Sequence, residues 1–275
     1  MGFFKKLLFS SAIFFFFFAC SQVAHSTDNI PLEPVHYEAP FSTDRPSFTA
    51  STETIPKGYV QVEMGSTWQN PTRQNSQRFQ SVTLPEAVTR YGITNSSEFQ
   101  FFAPNFIQTF GNNDTSGFGD LKLGLKQKLP LTPAGIQLTL YPTLTLPTGA
   151  NNQSANSVNP DFNLLASKEI TNQLSLASQL GVLLNPSGKH ASRITINPTL
   201  MLNFAASQNI GLFAEYASFN QINAQSKHVL DFGMTYLIKK HHQIDLRVGT
   251  GLTKDTPSLF AGAGYAFRVG THSQK

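Results

Sequence analysis

The sequence predicts an all-β protein, a transmembrane antiparallel up-and-down β-barrel of about 12 strands with an N-terminal extension. Three observations predict it. Apolar residues recur with period two, the spacing that places them on one face of a strand, and period 3.6 is nowhere sustained. The connecting segments alternate between short and long. Charged residues make up only 13% of the chain, about half the ~25% of ordinary soluble domains, and Asn, Gln, Ser, Thr and Gly fill the difference. A wall that is greasy on one face and polar on the other has this composition.

The first residues set the solvent in which the chain folds. Lys5 and Lys6 precede an apolar run from Leu7 to Ala19 that includes the block Phe14 to Phe18, and polar sequence follows at once. This is the pattern of an export signal. The run is too short for the ~20 residues of a spanning helix. Cleavage after Ser26 leaves small residues, Ala24 and Ser26, at the recognition positions, which defines residues 1–26 as a signal peptide. Cys20, the single cysteine, is an alternative lipidation site, although Phe17-Phe18-Ala19-Cys20 departs from the Leu-led lipoprotein pattern. With one cysteine no disulfide forms within the chain. The formal charge of +4 falls by two when Lys5 and Lys6 leave, too little to argue for nucleic acid.

Residues 27–57 are rich in Pro and acidic residues without sustained alternation. They read as a periplasmic extension or as a plug folded into the lumen, with Asp44-Arg45-Pro46 as an anchor. The barrel is expected over 58–269, with a tail at 270–275. Its alternation begins at Val60, Val62 and Met64 and runs to Trp68; Leu121, Leu123 and Leu125 repeat it, then Ile136, Leu138, Leu140, Leu144 and Leu146. Further runs are Ile194 to Phe204, Leu230 to Ile238, Ile244 to Val248 and Leu259 to Phe267, and weaker ones lie near 80–91, 98–104, 161–169, 174–183 and 210–218. Short turns are read at 92–97, 130–135, 171–173, 206–209 and 239–242. Longer loops are read at 69–78, 105–116, 147–160, 185–191 and 220–226, with a shorter one at 254–257. Short periplasmic turns and longer extracellular loops are the asymmetry of outer-membrane barrels. Trp68, Phe162 and Tyr216 fall near the long-loop ends of the apolar face, and Tyr91, Phe99, Phe204, Tyr236, Tyr265 and Phe267 near the short-turn ends, as two interfacial girdles require.

Parity places Glu63, Arg90, Glu98, Lys122, Lys126, Lys128, Asp161, Arg193, Glu215, Asp231, Asp245 and Arg247 toward the lumen. Such charges either select the solutes that enter or pair with one another and fill a narrow interior. The column Lys122, Lys126 and Lys128 is the candidate exception to mutual pairing, because three like charges on one strand need acidic partners across the lumen or an anionic visitor. An enzyme is not expected. His190 and His228 lie near loop ends beside Ser187, Ser192 and Ser226, but without a serine motif; His241-His242 sits in a tight turn and reads as two solvated imidazoles. No phosphate loop or Cys-His metal spacing occurs, and no cofactor is implied.

The chain resembles a family of bacterial outer-membrane proteins labelled as transporters or as phenol-degradation pathway components of the MetA type. The matching stretches are Thr43-Asp44-Arg45-Pro46, Pro56-Lys57-Gly58, Arg90-Tyr91-Gly92-Ile93-Thr94, Gly117-Phe118-Gly119-Asp120-Leu121 and Leu146-Pro147-Thr148-Gly149. The resemblance implies a barrel and passage of small, hydrophobic or aromatic molecules; it supplies no catalytic or binding residues. The expected partners are outer-membrane lipid, the barrel-assembly machinery and a small-molecule solute. The alternatives are a closed structural or surface-interaction barrel and, less favoured, an outer-membrane lipid-modifying enzyme.

Overall fold

The computed structural model describes residues 40–70, 80–111, 114–130, 134–186, 194–222 and 224–270. The expected signal peptide, Cys20, Arg193, His190 and the tail beyond Gly270 lie outside the described residues.

Strands β1 (Tyr59–Gln69), β2 (Gln80–Gly92), β3 (Ser97–Phe102), β4 (Phe106–Phe110), β5 (Thr115–Phe118), β6 (Leu121–Lys128) and β7 (Gln137–Leu146) are followed by β8 (Asn159–Glu169), β9 (Leu174–Leu184), β10 (Ile194–Ala205), β11 (Ile210–Gln221), β12 (Lys227–Lys239), β13 (His242–Gly251) and β14 (Phe260–Gly270). All pairings are antiparallel, and β1 pairs with both β2 and β14, which closes the sheet. Closure removes the free edges that an open sheet would expose to lipid.

The 14 strands make a ring of twelve. The lower part of β2 pairs with β3 and its upper part with β4, so β3 and β4 together act as one spanning strand, broken at Ala103-Pro104-Asn105. Its partner is broken in the same way, since β6 pairs with β3 and β5 with β4. Pro104 has no N–H to give to a ladder, which accounts for a break at that point. This corrects the expectation of a long loop over 105–116. Phe106, Gln108 and Phe110 continue the barrel wall, and the connection between β4 and β5 is only residues 111–114.

The remaining connections fall at the two ends the sequence predicts, mostly shorter at one than at the other, although 129–136 is longer than 222–226. Residues 93–96, 129–136, 170–173, 206–209 and 240–241 join strands at one end; residues 70–79, 147–158, 185–193, 222–226 and 252–259 join them at the other. The period-two apolar residues face outward, with Leu125, Leu140, Phe162, Leu202, Phe232, Leu246 and Val248 exposed, while Gln61, Gln100, Thr139, Asn163 and Thr199 on the other parity are buried. An apolar exterior around a polar interior is the transmembrane barrel arrangement. Strand β14 runs on to Gly270, so Arg268 belongs to the wall; it is buried, and its Nε donates to Gln61 Oε1.

The chain from residue 27 onward, refolded into detergent micelles, is expected to run as two different bands on gels before and after boiling, with a β-type circular dichroism spectrum. A soluble monomer with one band would contradict this fold.

Candidate functional site

The interior of this barrel is occupied by the chain itself. Residues 40–57 enter from the short-turn end, rise along one limb, turn at Phe48-Thr49 and descend to β1. Pro40 and Ser42 carbonyls accept from Arg268 and from Gln61 and Arg90 near the bottom of the wall. At the top the Phe48 ring packs edge-on against Phe219 and Phe260, both near the long-loop end. The descending limb ends where Ile55 N–H donates to Glu98 and Gly58 N–H donates to the Gly92 carbonyl. The two limbs are tied by the hydroxyl pair Ser42–Ser51 and by Ser51 N–H donating to Asp44.

An irregular segment has no ladder to satisfy its amides, and a buried amide without a partner costs about 1–3 kcal/mol. Side chains of the wall supply the acceptors. Glu63 Oε2 takes the N–H groups of Asp44 and Arg45, at 2.9 and 3.1 Å. Glu215 takes those of Phe48 and Thr49, at 2.7 and 2.6 Å, together with the Thr49 hydroxyl. Gln179 takes that of Ala50. Carbonyls are met in turn, since Lys126 donates to Ser51, Arg90 to Glu53, Thr139 to Thr52 and Arg247 to Pro46.

Carboxylates held away from water need cations. Arg90 lies between Glu63 and Glu98, 2.8 Å from each, and all three are fully buried. Lys126 reaches Asp44 at 2.5 Å. Gln61, Gln100 and the Tyr141 hydroxyl complete this cluster with hydrogen bonds to Glu63, Glu98 and Gln100 respectively. The other flank is looser. Arg45 is 2.8 Å from Glu86 but 3.5 Å from Asp245, and Arg247 is 3.9 Å from Asp231. Both oxygens of Asp231, one of Asp245 and the Nε atoms of Arg45 and Arg247 are buried without a hydrogen bond.

Of the residues that parity placed in the lumen, Glu63, Arg90, Glu98, Lys126, Glu215, Asp231 and Asp245 are buried inside, and Lys122, Lys128, Asp161 and Arg247 face inward half-buried. The lysine column finds its acids on the loop rather than across the lumen, Lys126 on Asp44 and Lys128 on Glu53 at 2.8 Å. Lys122 instead lies over the Phe102 ring at 4.0 Å. Glu86 and Arg268 belong to the interior and were missed. Glu86 shares the parity of Val88 and Arg90, opposite Gly65, but lies on a strand whose apolar alternation is weak, and Arg268 follows the last apolar residue of its run. Asp44 and Arg45 fit the anchor of a lumen plug, one of the two readings of their segment, while Glu53 is not singled out by the sequence.

The quoted motifs now have mechanical roles. A Cβ on Gly92 would overlap the Pro56 carbonyl, so only glycine lets the exit of the loop cross the wall there. Asp120, at the break between β5 and β6, accepts from the Gly149 and Ala155 N–H groups, and Leu121 N–H donates to the Thr148 hydroxyl. These bonds stitch the 147–158 loop to the break. At the short-turn end His242 is not free in solvent, since Nδ1 pairs with the Tyr265 hydroxyl and the ring stacks on Tyr265 and Phe267. Partial burial, then the charges of Arg268 and Lys240, holds the His241 imidazole below its usual pKa.

Among the described residues, cavities lie on both sides of the loop apex. One of about 340 Å³ lies toward the short-turn end between the loop and the wall, lined by residues such as Thr43, Thr52, Ser175, Met201 and Asn203. Another of about 330 Å³ lies above the loop apex at the long-loop end. Phe48 lines the upper cavity and Thr49 the lower.

Fold and interior together define a twelve-stranded transmembrane β-barrel with an inserted N-terminal loop. The chain belongs to the family described as "Putative MetA-pathway of phenol degradation", whose model matches residues 43–269, from the loop to the end of the barrel. Among solved structures it is similar to an outer membrane channel from Pseudomonas putida F1, with 17% identity, TM-score 0.58, and coverage of 80% of this chain and 98% of that one. It is also similar to the beta domain of the Bordetella autotransporter BrkA (11% identity, TM-score 0.51, 77% and 99% covered) and to the KdgM porin in complex with disordered oligogalacturonate (10%, 0.50, 75% and 98%). At these identities the likeness is one of fold. No curated protein matches the chain.

Replacing Arg90 with Met leaves Glu63 and Glu98 buried without their cation, and is expected to cost about 3–5 kcal/mol in urea unfolding of the refolded barrel. Lys128→Met, in a pair that is partly exposed, is expected to cost under about 1 kcal/mol. Equal effects would contradict the assignment of the tight cluster.

Proposed function

We propose that this protein is an outer-membrane channel for small, hydrophobic or aromatic molecules, in which the N-terminal loop restricts the lumen. The observation that carries the reading is that the loop apex lines both cavities, Phe48 the one at the long-loop end and Thr49 the one toward the short-turn end. The apolar exterior, the family match and the likeness of fold to an outer membrane channel support a location in the outer membrane. Both termini of the barrel then lie on the periplasmic side, and the loop enters from there.

The interior charges are engaged mainly with the loop, so they act first as its anchors. A ring of twelve strands leaves room only for small cargo once the loop is in place. Passage requires the apex to shift. The flank toward β12 and β13, with ion pairs of 3.5 and 3.9 Å, yields more readily than the flank toward β1 to β3, where the pairs are 2.8 Å. The competing reading, a closed barrel with a surface role, has the same wall but no need for cavities on both sides of a thin barrier.

Single-channel recording in planar bilayers separates the two. The chain from residue 27 onward is expected to conduct weakly or intermittently, and a form lacking residues 27–55 to conduct steadily at several times that level. Glu215→Gln, which loosens only the apex, is expected to raise the open fraction. Silence in all three forms, with folding confirmed by the gel shift, would favour the closed barrel; equal conductance in all three would remove the loop from the account.

A further inference from the structure

The cavity at the long-loop end has a composition unlike the rest of the interior. Three phenylalanines, Phe48, Phe219 and Phe260, line it together with Val229, Arg247 and Lys227. The Phe48 ring meets Phe219 at 5.7 Å and Phe260 at 5.9 Å, both at 76°, an edge-to-face cluster. The Arg247 guanidinium carbon lies 5.3 Å from the centre of the Phe48 ring and 5.5 Å from that of Phe260. Elsewhere the described interior is mostly hydroxyls, amides and charges, so rings gathered at one mouth call for a reason. A Cβ at Gly249 would overlap the Phe260 ring, so the wall is cut away by a glycine to let this ring lie inward.

We propose that this cavity binds a single uncharged, electron-rich aromatic ring as the entry site for solute. Size is the first reason. At about 330 Å³ the cavity is near the lower end of small-molecule pockets, which admits one ring with a small substituent. Ring geometry is the second, because an edge-to-face cluster offers a fourth ring the same favourable faces and edges that its members offer one another. Charge is the third. The guanidinium beside the rings favours an electron-rich π face, while the lining has no surplus charge for an ionic ligand: Lys227 is offset by Asp255 in the same lining, and Arg247 by Asp231 at 3.9 Å.

The floor of the site is part of the loop. Phe48 touches the cavity with its ring, while its amide and that of Thr49 are held by Glu215. A ligand that takes over the contacts of Phe219 and Phe260 therefore competes with the apex for the wall. The role in entry rests on the channel reading; the binding itself does not.

The test uses the refolded chain from residue 27 onward in detergent micelles, with 4-fluorophenol followed by fluorine NMR against protein-free micelles. Saturable broadening is expected. p-Cresol is expected to displace the probe, and cyclohexanol, equal in shape but without a π face, to do so about tenfold less well. Phe219→Leu and Phe260→Leu are each expected to weaken binding several-fold, and Phe102→Leu, on the opposite wall, to leave it unchanged. Absence of saturation, equal competition by cyclohexanol, or an equal loss in Phe102→Leu would overturn the proposal. Should the pocket variants fail to fold, the comparison of p-cresol with cyclohexanol on the unaltered chain still decides. A protein that binds the probe yet stays silent in bilayers would keep this site and sink the channel reading.

Discussion

The amides of residues 44–55 must find acceptors inside a barrel where water is scarce and no strand runs beside them, and the rest of the interior follows from that need. Glu63, Glu98 and Glu215 serve as acceptors for backbone N–H groups of the loop. A hydrogen bond to a charged group contributes about 1.5–3 kcal/mol, more than one to a neutral amide. Carboxylates buried for this purpose then require cations, which accounts for Arg90 between Glu63 and Glu98 and for Lys126 beside Asp44. The polar atoms left over by the cations draw in Gln61, Gln100 and Tyr141. A network of this kind is stabilising only when nearly every member is satisfied.

That condition holds on one flank and fails on the other, and the contrast gives the interior a direction of motion. Near β1 to β3 Arg90 pairs with Glu63 and Glu98 at 2.8 Å each, and no side-chain atom of the three is buried without a hydrogen bond. Near β12 and β13 Asp231, Asp245, Arg45 and Arg247 keep buried atoms without partners. Groups left unmatched in a low dielectric mark the place where rearrangement costs least, since little is lost there. The apex at Phe48 stands closest to this flank and beneath the aromatic mouth, so the same few residues join a ligand-sized cavity to the least secure part of the loop's attachment.

Much of this was legible in the sequence, and the limits have physical causes. A strand repeats every two residues, so parity fixes which side chains face in without knowledge of the partners. Glu63, Arg90, Glu98 and Asp245 were placed this way. Parity assigns Glu86 the face of Arg90, but the weak alternation over 80–91 does not single it out. Parity misread residues 105–116 as loop, because the wall there is broken by Pro104 into pieces too short to show alternation. The sequence offers Asp44-Arg45-Pro46 as an anchor of a lumen plug, but not the wall groups that hold it. Thr49 and Glu215 are 166 residues apart, and a segment without periodicity carries no signal of what it will touch. The matching motifs mark an interior anchor, Asp44-Arg45-Pro46, and the crossing at Gly92, but assign no partner to either.

The most direct test of the central claim is hydrogen exchange of the refolded barrel, read by mass spectrometry on peptides covering residues 42–56. If wall side chains hold the loop amides, these peptides exchange far more slowly than an unstructured segment, and Glu215→Gln and Arg90→Met release the apex and the limbs respectively. Exchange at the rate of a free peptide, while the strands remain protected, would contradict an interior built around the loop.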